Sequence, residues 1–328
     1  MHNQQNILVT GGSGFIGSAY IKLILRCYDH LKIINLDKLT YAGNNENLGR
    51  YNNHHNYTFI KGDICDKSLV ESICNDYSID IIVNFAAESH VDNSIENSDE
   101  FIYTNINGTH NLLKMFHKFP IKKFLQVSTD EVYGSLKEGE EAFTEDTPLA
   151  PNSPYAASKA AADMLCRSFY ETYNYPIIIS RCSNNYGDNQ YPEKLIPLMI
   201  EKAKENDKLP VYGDGQNIRD WIHVEDHVEA LDALLWAEGL EGEIFNIGGE
   251  EEQRNIDIVK TILYNLNKGY TQIEYVEDRL GHDFRYAMNI DKIYNELNWY
   301  PKRRFNQGLK TLIKGQDFTR LRTYRGEE

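Results

Sequence analysis

The sequence predicts an α/β fold, a doubly wound parallel sheet carrying a smaller C-terminal substrate-binding lobe, and three features of its 328 residues predict it. Short β-branched runs alternate with longer amphipathic stretches through the first half of the chain, the order expected of strands and helices layered in one domain. Runs such as IDIIVNF and PIIIS are apolar almost without a break, which suits strands covered by helices on both faces. The first such run passes directly into a glycine-rich turn and then a helical pattern, SAYIKLILRCY.

Taken in order, strands are expected over 6–9, 32–36, 57–61, 79–85, 123–128 and 176–181. Past Arg181 the rhythm breaks. A helix over PEKLIPLMIEKAKEN, a Gly-Asp-Gly turn at 213–215, a helix from 224 to 238, the strand EIFNI and the helical stretch IDIVKTILYNL follow. The expected division is a sheet domain over 1–182, to which 218–247 returns, and a lobe built from 183–217 and 248–328.

Composition narrows the function classes. A hydrophobic content of 41%, a mean hydropathy of −0.54 and the lack of any apolar run near the roughly 18 residues of a spanning helix argue against an integral membrane protein. The start shows no basic and apolar leader pattern, so a cytoplasmic location is expected. A net charge of −15 opposes nonspecific binding to nucleic acid or an anionic membrane, yet a few arginines and a helix N-terminus can still hold a diphosphate locally. The five cysteines, Cys27, Cys65, Cys74, Cys166 and Cys182, are odd in number and scattered, so reduced thiols are expected. No ligand spacing marks a metal site, and none is expected; His54 and His55 read as part of a polar turn.

The turn after the first strand reads Thr10-Gly11-Gly12-Ser13-Gly14-Phe15-Ile16-Gly17. Glycines there permit a tight turn, close approach of backbone N–H groups to a pyrophosphate at a helix N-terminus, and close packing of helix on strand. Asp37 follows Gly17 by twenty positions at the end of the next strand, where a carboxylate accepts from a ribose hydroxyl and repels a 2′-phosphate. The combination predicts a Rossmann-type site for NAD rather than NADP. Asp63 and Ile64 after the third strand could meet the adenine, with a plain strand cap as the alternative for Asp63. Ala86 and Ala87 after the fourth leave room for a dinucleotide crossing the sheet edge.

Tyr155 and Lys159 stand four apart on an expected helix and so share a face. A neighbouring ammonium favours phenolate, so a lowered Tyr155 pKa and proton abstraction from a sugar hydroxyl are expected. The strand end VSTDEVYG brings Thr129, Asp130 and Glu131 to the same edge. The residues alone leave two readings of that acidic pair, an acid–base couple or an exposed loop.

The stretches TGGSGFIG, LDKLTYAGN, NFAAESHVDNSI, VSTDEVYG, PYAASK, RCSNNYG, PEKLIP, VYGDGQNIRDWIHVEDH, FNIGG and DRLGHDFRYA resemble, in order and over almost the whole chain, the extended short-chain dehydrogenase/reductases, and within them the dTDP-glucose 4,6-dehydratases. The resemblance implies oxidation at sugar carbon 4 by tightly held NAD, loss of water across carbons 5 and 6, and hydride return to carbon 6. It assigns Glu131 as base for the hydrogen on carbon 5, Asp130 as acid for the departing hydroxyl, and Thr129 as partner of the carbon 4 hydroxyl beside Tyr155. Around NAD it adds Lys38, Leu39, Thr40, Ser89, Thr104 and Asn185 to the glycine-loop and strand-end residues. Around the nucleotide sugar it implies Ser89, His90, Asn184, Lys194, Leu195, Arg219, Asn246, Asp278, Arg279 and His282, with Pro210, Val211 and Tyr212 at the base.

Arginine pairs suit a diphosphate, although Asp278 and Asp283 beside Arg279 leave a structural ion-pair network as a rival reading. Asn93, Asp188 and Leu280 replace residues of the family pattern and bear on substrate-loop geometry. The competing functions are a relative acting on a UDP, CDP or GDP sugar and a silent binding regulator. Family members pair through a four-helix bundle, so a homodimer is expected, with 100–118 and 156–173 supplying the helices.

Overall fold

The computed structural model describes residues 4–315. Six strands, β1 (Gln5–Thr10), β2 (Leu31–Asp37), β3 (Tyr57–Lys61), β4 (Ile81–Asn84), β5 (Lys123–Thr129) and β6 (Ile177–Cys182), lie parallel in the order β6-β5-β4-β1-β2-β3. The expected doubly wound sheet is therefore present, and successive strands add outward in opposite directions from the β1/β4 boundary. A crevice opens outside the carboxyl ends at such a reversal, which is where ligands of this architecture bind. The expected strand 79–85 is shorter than its apolar run: Ile79 is buried but only 81–84 pair.

Helices cover both faces. Helix Phe15–Cys27 buries Tyr20, Ile21, Ile24 and Leu25 against one face together with helix Val224–Trp236. Helices Lys67–Asp76 and Pro154–Tyr173 help cover the other. The latter starts at Ser153, whose hydroxyl accepts from the Ala156 N–H at 3.1 Å, continues through Pro154 in its first turn, and stops at Asn174 in the left-handed region. That start fixes the position of Tyr155 and Lys159.

After β6, strands β7 (Asn184–Tyr186), β8 (Leu209–Tyr212) and β9 (Ile218–His223) belong to small sheets of the second half. Strand β10 (Ile244–Ile247) returns to the large sheet and pairs in parallel with β6. β11 (Glu252–Arg254) joins β9, and β12 (Ile273–Val276) joins β8. Within 218–247, β9 pairs with β7 and β11 in a three-stranded sheet, whereas β10 joins the large sheet beside β6. A separate core containing Ile196, Leu209, Ile256, Ile262, Phe305 and Leu309 holds the lobe together. The segment expected as a long helix over 100–118 is helical but changes pitch, passing through the π-helical stretch Ile102–Gly108. Among the described residues, no helix is long and apolar enough to cross a membrane.

Candidate active site

The glycine loop leaves β1 with Gly11 at φ 69°, and a Cβ there would lie 2.7 Å from the Ala86 nitrogen. At Gly17 it would lie 2.4 Å from the Gly11 carbonyl oxygen. Both positions admit glycine alone because the β1 loop, the β4 loop and the helix start are in backbone contact. Gly14, by contrast, would place a Cβ 3.3 Å from one carbonyl oxygen and lines an open cavity. Asp37 at the end of β2 accepts from the Ser13 N–H at 2.9 Å and the Leu39 N–H at 2.8 Å. Burial pushes its carboxyl up, while those two backbone bonds hold it down. Leu39 reaches Asp37 through its backbone, at φ 55°, and its side chain is not on the cavity wall.

Along the same cavity lie Gly11, Gly14, Phe15, Ile16, Gly17, Asp37, Lys38, Thr40, Asp63, Ile64, Ala86, Ala87, Ser89, Thr104 and Asn185. Asp63 accepts from the Cys65 N–H at 2.8 Å and pairs with Lys38 at 3.0 Å, so it caps its own turn as well as facing the cavity. The set fits a dinucleotide: a loop that excludes side chains at two points, a carboxylate where a ribose would lie, and a buried Thr104 hydroxyl without a partner.

Thr129 ends β5 and its hydroxyl accepts from the Glu131 N–H at 3.3 Å, tying the tight turn Asp130–Tyr133 to the strand end. This puts Asp130 and Glu131 inside the cavity with Tyr155 and Lys159 rather than on an exposed loop. Asp130 is 2% exposed, takes a 3.2 Å bond from the Thr129 hydroxyl on one oxygen, and leaves the other buried without a partner. Burial pushes its carboxyl well above the usual range, and the neighbouring Glu131 and Asp220 push it further. Burial raises Glu131 as well, but Lys194, Arg219 and Arg279 pull it down. Both adjacent carboxyls are thus raised by burial; like charges add to the rise at Asp130 more than Arg219 opposes it, while three cations oppose the rise at Glu131, a difference of surroundings that favours Asp130 as the acid and Glu131 as the base.

The expectation of a lowered Tyr155 pKa is not met. Burial raises the phenol, Glu131, Cys182 and Asp130 add to that, and only the Thr129 contact opposes it. Lys159 is itself buried, its pKa lowered by burial, and it donates to the Val127 carbonyl at 2.7 Å. Helical spacing put the ammonium on the right face but did not reveal that a strand carbonyl would accept its hydrogen bond.

Of the residues expected around the nucleotide sugar, Ser89, Asn184 and Lys194 line this cavity, and Lys194 donates to the Ser89 carbonyl at 3.0 Å. His90 faces Glu193 at 3.6 Å. A second group lies beyond: Arg279 stacks over Tyr212 at 5.3 Å, whose ring meets His282 edge-on, and His282 bonds Asp278 at 2.7 Å. Arg279 is paired with Asp92, an ion pair that the sequence did not point to. Arg219 donates to the carbonyls of Ile218, Asp283 and Phe284 and lies 4.2 Å over the Tyr286 ring. Among the described residues no carboxylate lies within 4.0 Å of its guanidinium, so the rival ion-pair network does not include Arg219.

Three placements differ from expectation. Asn246 is wholly buried, its amide held by the Tyr133 hydroxyl at 2.7 Å and the Phe143 carbonyl at 3.0 Å, so it ties β10 to segment 133–143. Val211 points into the lobe core, and Leu195 packs against that core from the first turn of helix Leu195–Glu205. Sequence reasoning missed Glu88, Cys182 and Glu193 on the cavity wall. As site residues all three were visible only inside longer motifs.

Comparison with known proteins agrees with this geometry. The sequence model of the family described as GDP-mannose 4,6 dehydratase matches residues 8–312. The low-salt glycan biosynthesis protein Agl12 of Haloferax volcanii is 48% identical, covering 94% of this chain and 97% of that protein. The dTDP-glucose 4,6-dehydratase of Neisseria gonorrhoeae is 47% identical over 95% of each chain. A crystal structure of dTDP-glucose 4,6-dehydratase from Bacillus anthracis in complex with NAD is 51% identical, with a TM-score of 0.88, covering 94% of this chain and 96% of that one. With a buried Asp-Glu pair beside Tyr155 and full-length likeness to these enzymes, the chain belongs to the nucleotide-sugar 4,6-dehydratase family.

Proposed function

We propose that this protein dehydrates dTDP-glucose to dTDP-4-keto-6-deoxyglucose. The observation that carries the reading is the pair Asp130 and Glu131, adjacent in the chain and enclosed with Tyr155, both raised by burial, with like charges adding to the rise at Asp130 and Lys194, Arg219 and Arg279 opposing it at Glu131. Named dTDP-glucose 4,6-dehydratases at 46–47% identity support the choice of nucleotide. Residues of the glycine loop, Asp37, Asp63 and Thr104 would hold NAD, which when bound supplies the hydride acceptor for carbon 4 and the hydride donor for carbon 6.

The chain's own groups then divide the proton work. Tyr155, with the Thr129 hydroxyl beside it, would take the proton of the carbon 4 hydroxyl as the phenolate, a form that burial disfavours in the protein alone and that the positive charge of a bound oxidised nicotinamide would favour. The ketone that results acidifies carbon 5, and Glu131, whose carboxyl burial raises and Lys194, Arg219 and Arg279 pull back down, accepts that proton as the carboxylate. Asp130, kept protonated by burial and like charges, gives its proton to the departing carbon 6 hydroxyl. Lys194, Arg219 and Arg279 provide the positive field a diphosphate needs.

Incubation with dTDP-, UDP-, CDP- and GDP-glucose, followed by mass spectrometry, tests the reading. Loss of one water from dTDP-glucose without accumulating reduced cofactor is expected, and preference for another nucleotide would overturn the assignment of the base. We also propose a homodimer through helix Pro154–Tyr173 and the helical run before it, because Ile102, Tyr103, Met164 and Tyr173 leave apolar surface exposed on both. Light scattering at micromolar concentration should give twice the 37.9 kDa chain mass, and the chain mass alone would contradict it. The five unpaired thiols suit a cytoplasmic setting.

A further inference from the structure

Segment 278–283, which follows β12, is fastened at both ends to residues of the large domain. At one end the Nε–H and one Nη2–H of Arg279 donate to the two carboxylate oxygens of Asp92, the second at 2.9 Å. At the other end the Asn152 amide donates to Asp283 Oδ1 at 2.6 Å. Between the two, Gly281 takes φ 63°, and a Cβ there would lie 3.1 Å from the Asn152 carbonyl oxygen. The strap so formed bears on both arginines of the second group. Arg279 belongs to it, and the Asp283 carbonyl accepts from Arg219 Nη2 at 2.9 Å.

Asp92 stands on a fixed base. It lies in the first turn of the short helix Val91–Glu96, which His90 caps by accepting from the Asn93 N–H at 3.2 Å. Ser94 holds the same helix to helix Pro154–Tyr173, its hydroxyl accepting from the Tyr155 N–H at 3.2 Å. Two parallel bonds to one carboxylate fix the plane of a guanidinium as well as its place. Among the described residues Nη1 of Arg279 makes no hydrogen bond, so one edge of the guanidinium is taken and the other is left over. Asp92 offsets part of the Arg279 charge. The value of Arg279 to a bound diphosphate therefore depends on where its remaining N–H groups point, and the carboxylate sets that direction. A partly exposed ion pair adds little stability by itself, which leaves orientation as the main consequence of this one.

We propose that Asp92 is a positioning residue for the nucleotide sugar, holding Arg279 and with it one end of segment 278–283 in the orientation that meets the diphosphate. The proposal takes its ligand from the dehydratase reading. Asp92 acts through Arg279 and makes no contact of its own with the substrate.

Titration calorimetry with dTDP and with UDP, beside steady-state kinetics with dTDP-glucose, tests it on NAD-loaded protein. Asp92→Asn keeps the shape but loses the charge and one acceptor. In that variant the Kd of the nucleotide and the KM should each rise about tenfold, the order of one charge-assisted contact, while kcat changes less than about threefold. Asp92→Glu should recover part of the loss by restoring the charge. Adding Asp92→Asn to Arg279→Ala should change Kd and KM by less than about twofold, because both substitutions remove the same contact. Equal losses in the two backgrounds would assign the effect to the fold at large and overturn the proposal. Parent affinity in Asp92→Asn would overturn it too, and so would tighter binding, which would mean that the carboxylate competes with the ligand for Arg279. A parent that bound neither nucleotide would also refute it. If the parent bound dTDP or UDP but left dTDP-glucose unchanged, the reaction assignment would fail instead, and the comparison of Kd values would still decide the role of Asp92.

Discussion

Asp130 carries the clearest conflict between stability and chemistry in the molecule. Its carboxyl is buried against Glu131 and Asp220, so its folded pKa lies well above the value in the unfolded chain. The sign follows directly: the protonated form is favoured by folding, so the contribution is fully present below the unfolded pKa and is lost as pH rises through the folded one. Asp130→Asn removes that loss. We predict that this variant melts about 2 °C or more above the parent at pH 8, a gap that closes toward pH 4, while kcat falls by about 10²- to 10⁴-fold as expected for losing a general acid. Melting curves across pH together with single-turnover rates check it, and a lower melting temperature at pH 8 would show that Asp130 is ionised and paired instead. The two carboxyls were legible in the sequence as a motif. Their electrostatic surroundings were not, because Lys194, Arg219 and Asp220 lie 63 to 90 residues further along the chain.

At the scale of elements, strength of local signal decided what the sequence revealed. The first six strands, with their long apolar runs, and the glycine loop were readable because burial on both faces leaves near-continuous hydrophobic segments. Strands such as β7, β11 and β12 have three or four residues and are partly polar, and nothing in so short a run separates a strand from a loop. The change of pitch over Ile102–Gly108 leaves no mark on the apolar pattern either. The glycine loop yields a prediction that splits folding from ligand binding. Gly17→Ala forces a methyl against the Gly11 carbonyl, so it should lower the melting temperature, at a cost of about 1–3 kcal/mol, and abolish NAD retention. Gly14→Ala meets only one oxygen at 3.3 Å and faces the cavity, so it should melt near the parent and still purify with less NAD. Absorbance of the nucleotide released on denaturation, read beside melting curves, distinguishes the two, and equal behaviour of both variants would contradict the packing argument.

Across the whole molecule, the catalytic field comes from two bodies of the chain. The large sheet supplies the acid, the base and Tyr155 at its carboxyl edge, whereas Arg219 comes from β9 of the small sheet that β7 and β11 complete. A protein with net charge −15 has no general attraction for a diphosphate, so on the proposed function local cations would both hold the nucleotide and oppose the rise that burial imposes on Glu131. Arg219 is suited to both tasks because its guanidinium rests on carbonyls and the Tyr286 ring instead of a carboxylate, and its charge lowers both the Glu131 and the Asp130 carboxyl. Removing it by Arg219→Gln should raise KM for dTDP-glucose about tenfold, the value of one charge-assisted contact. It should also move the acid limb of the kcat profile to higher pH. The cation pulls the Glu131 pKa down, so without it Glu131 stays protonated further up the pH scale and the base is lost sooner on acidification. Steady-state kinetics from about pH 5 to about pH 9, with substrate varied from below KM to saturation at each pH, test both effects in one series. A raised KM with an unmoved acid limb would confine Arg219 to binding, and would leave Lys194 and Arg279 to set the charge state of the base.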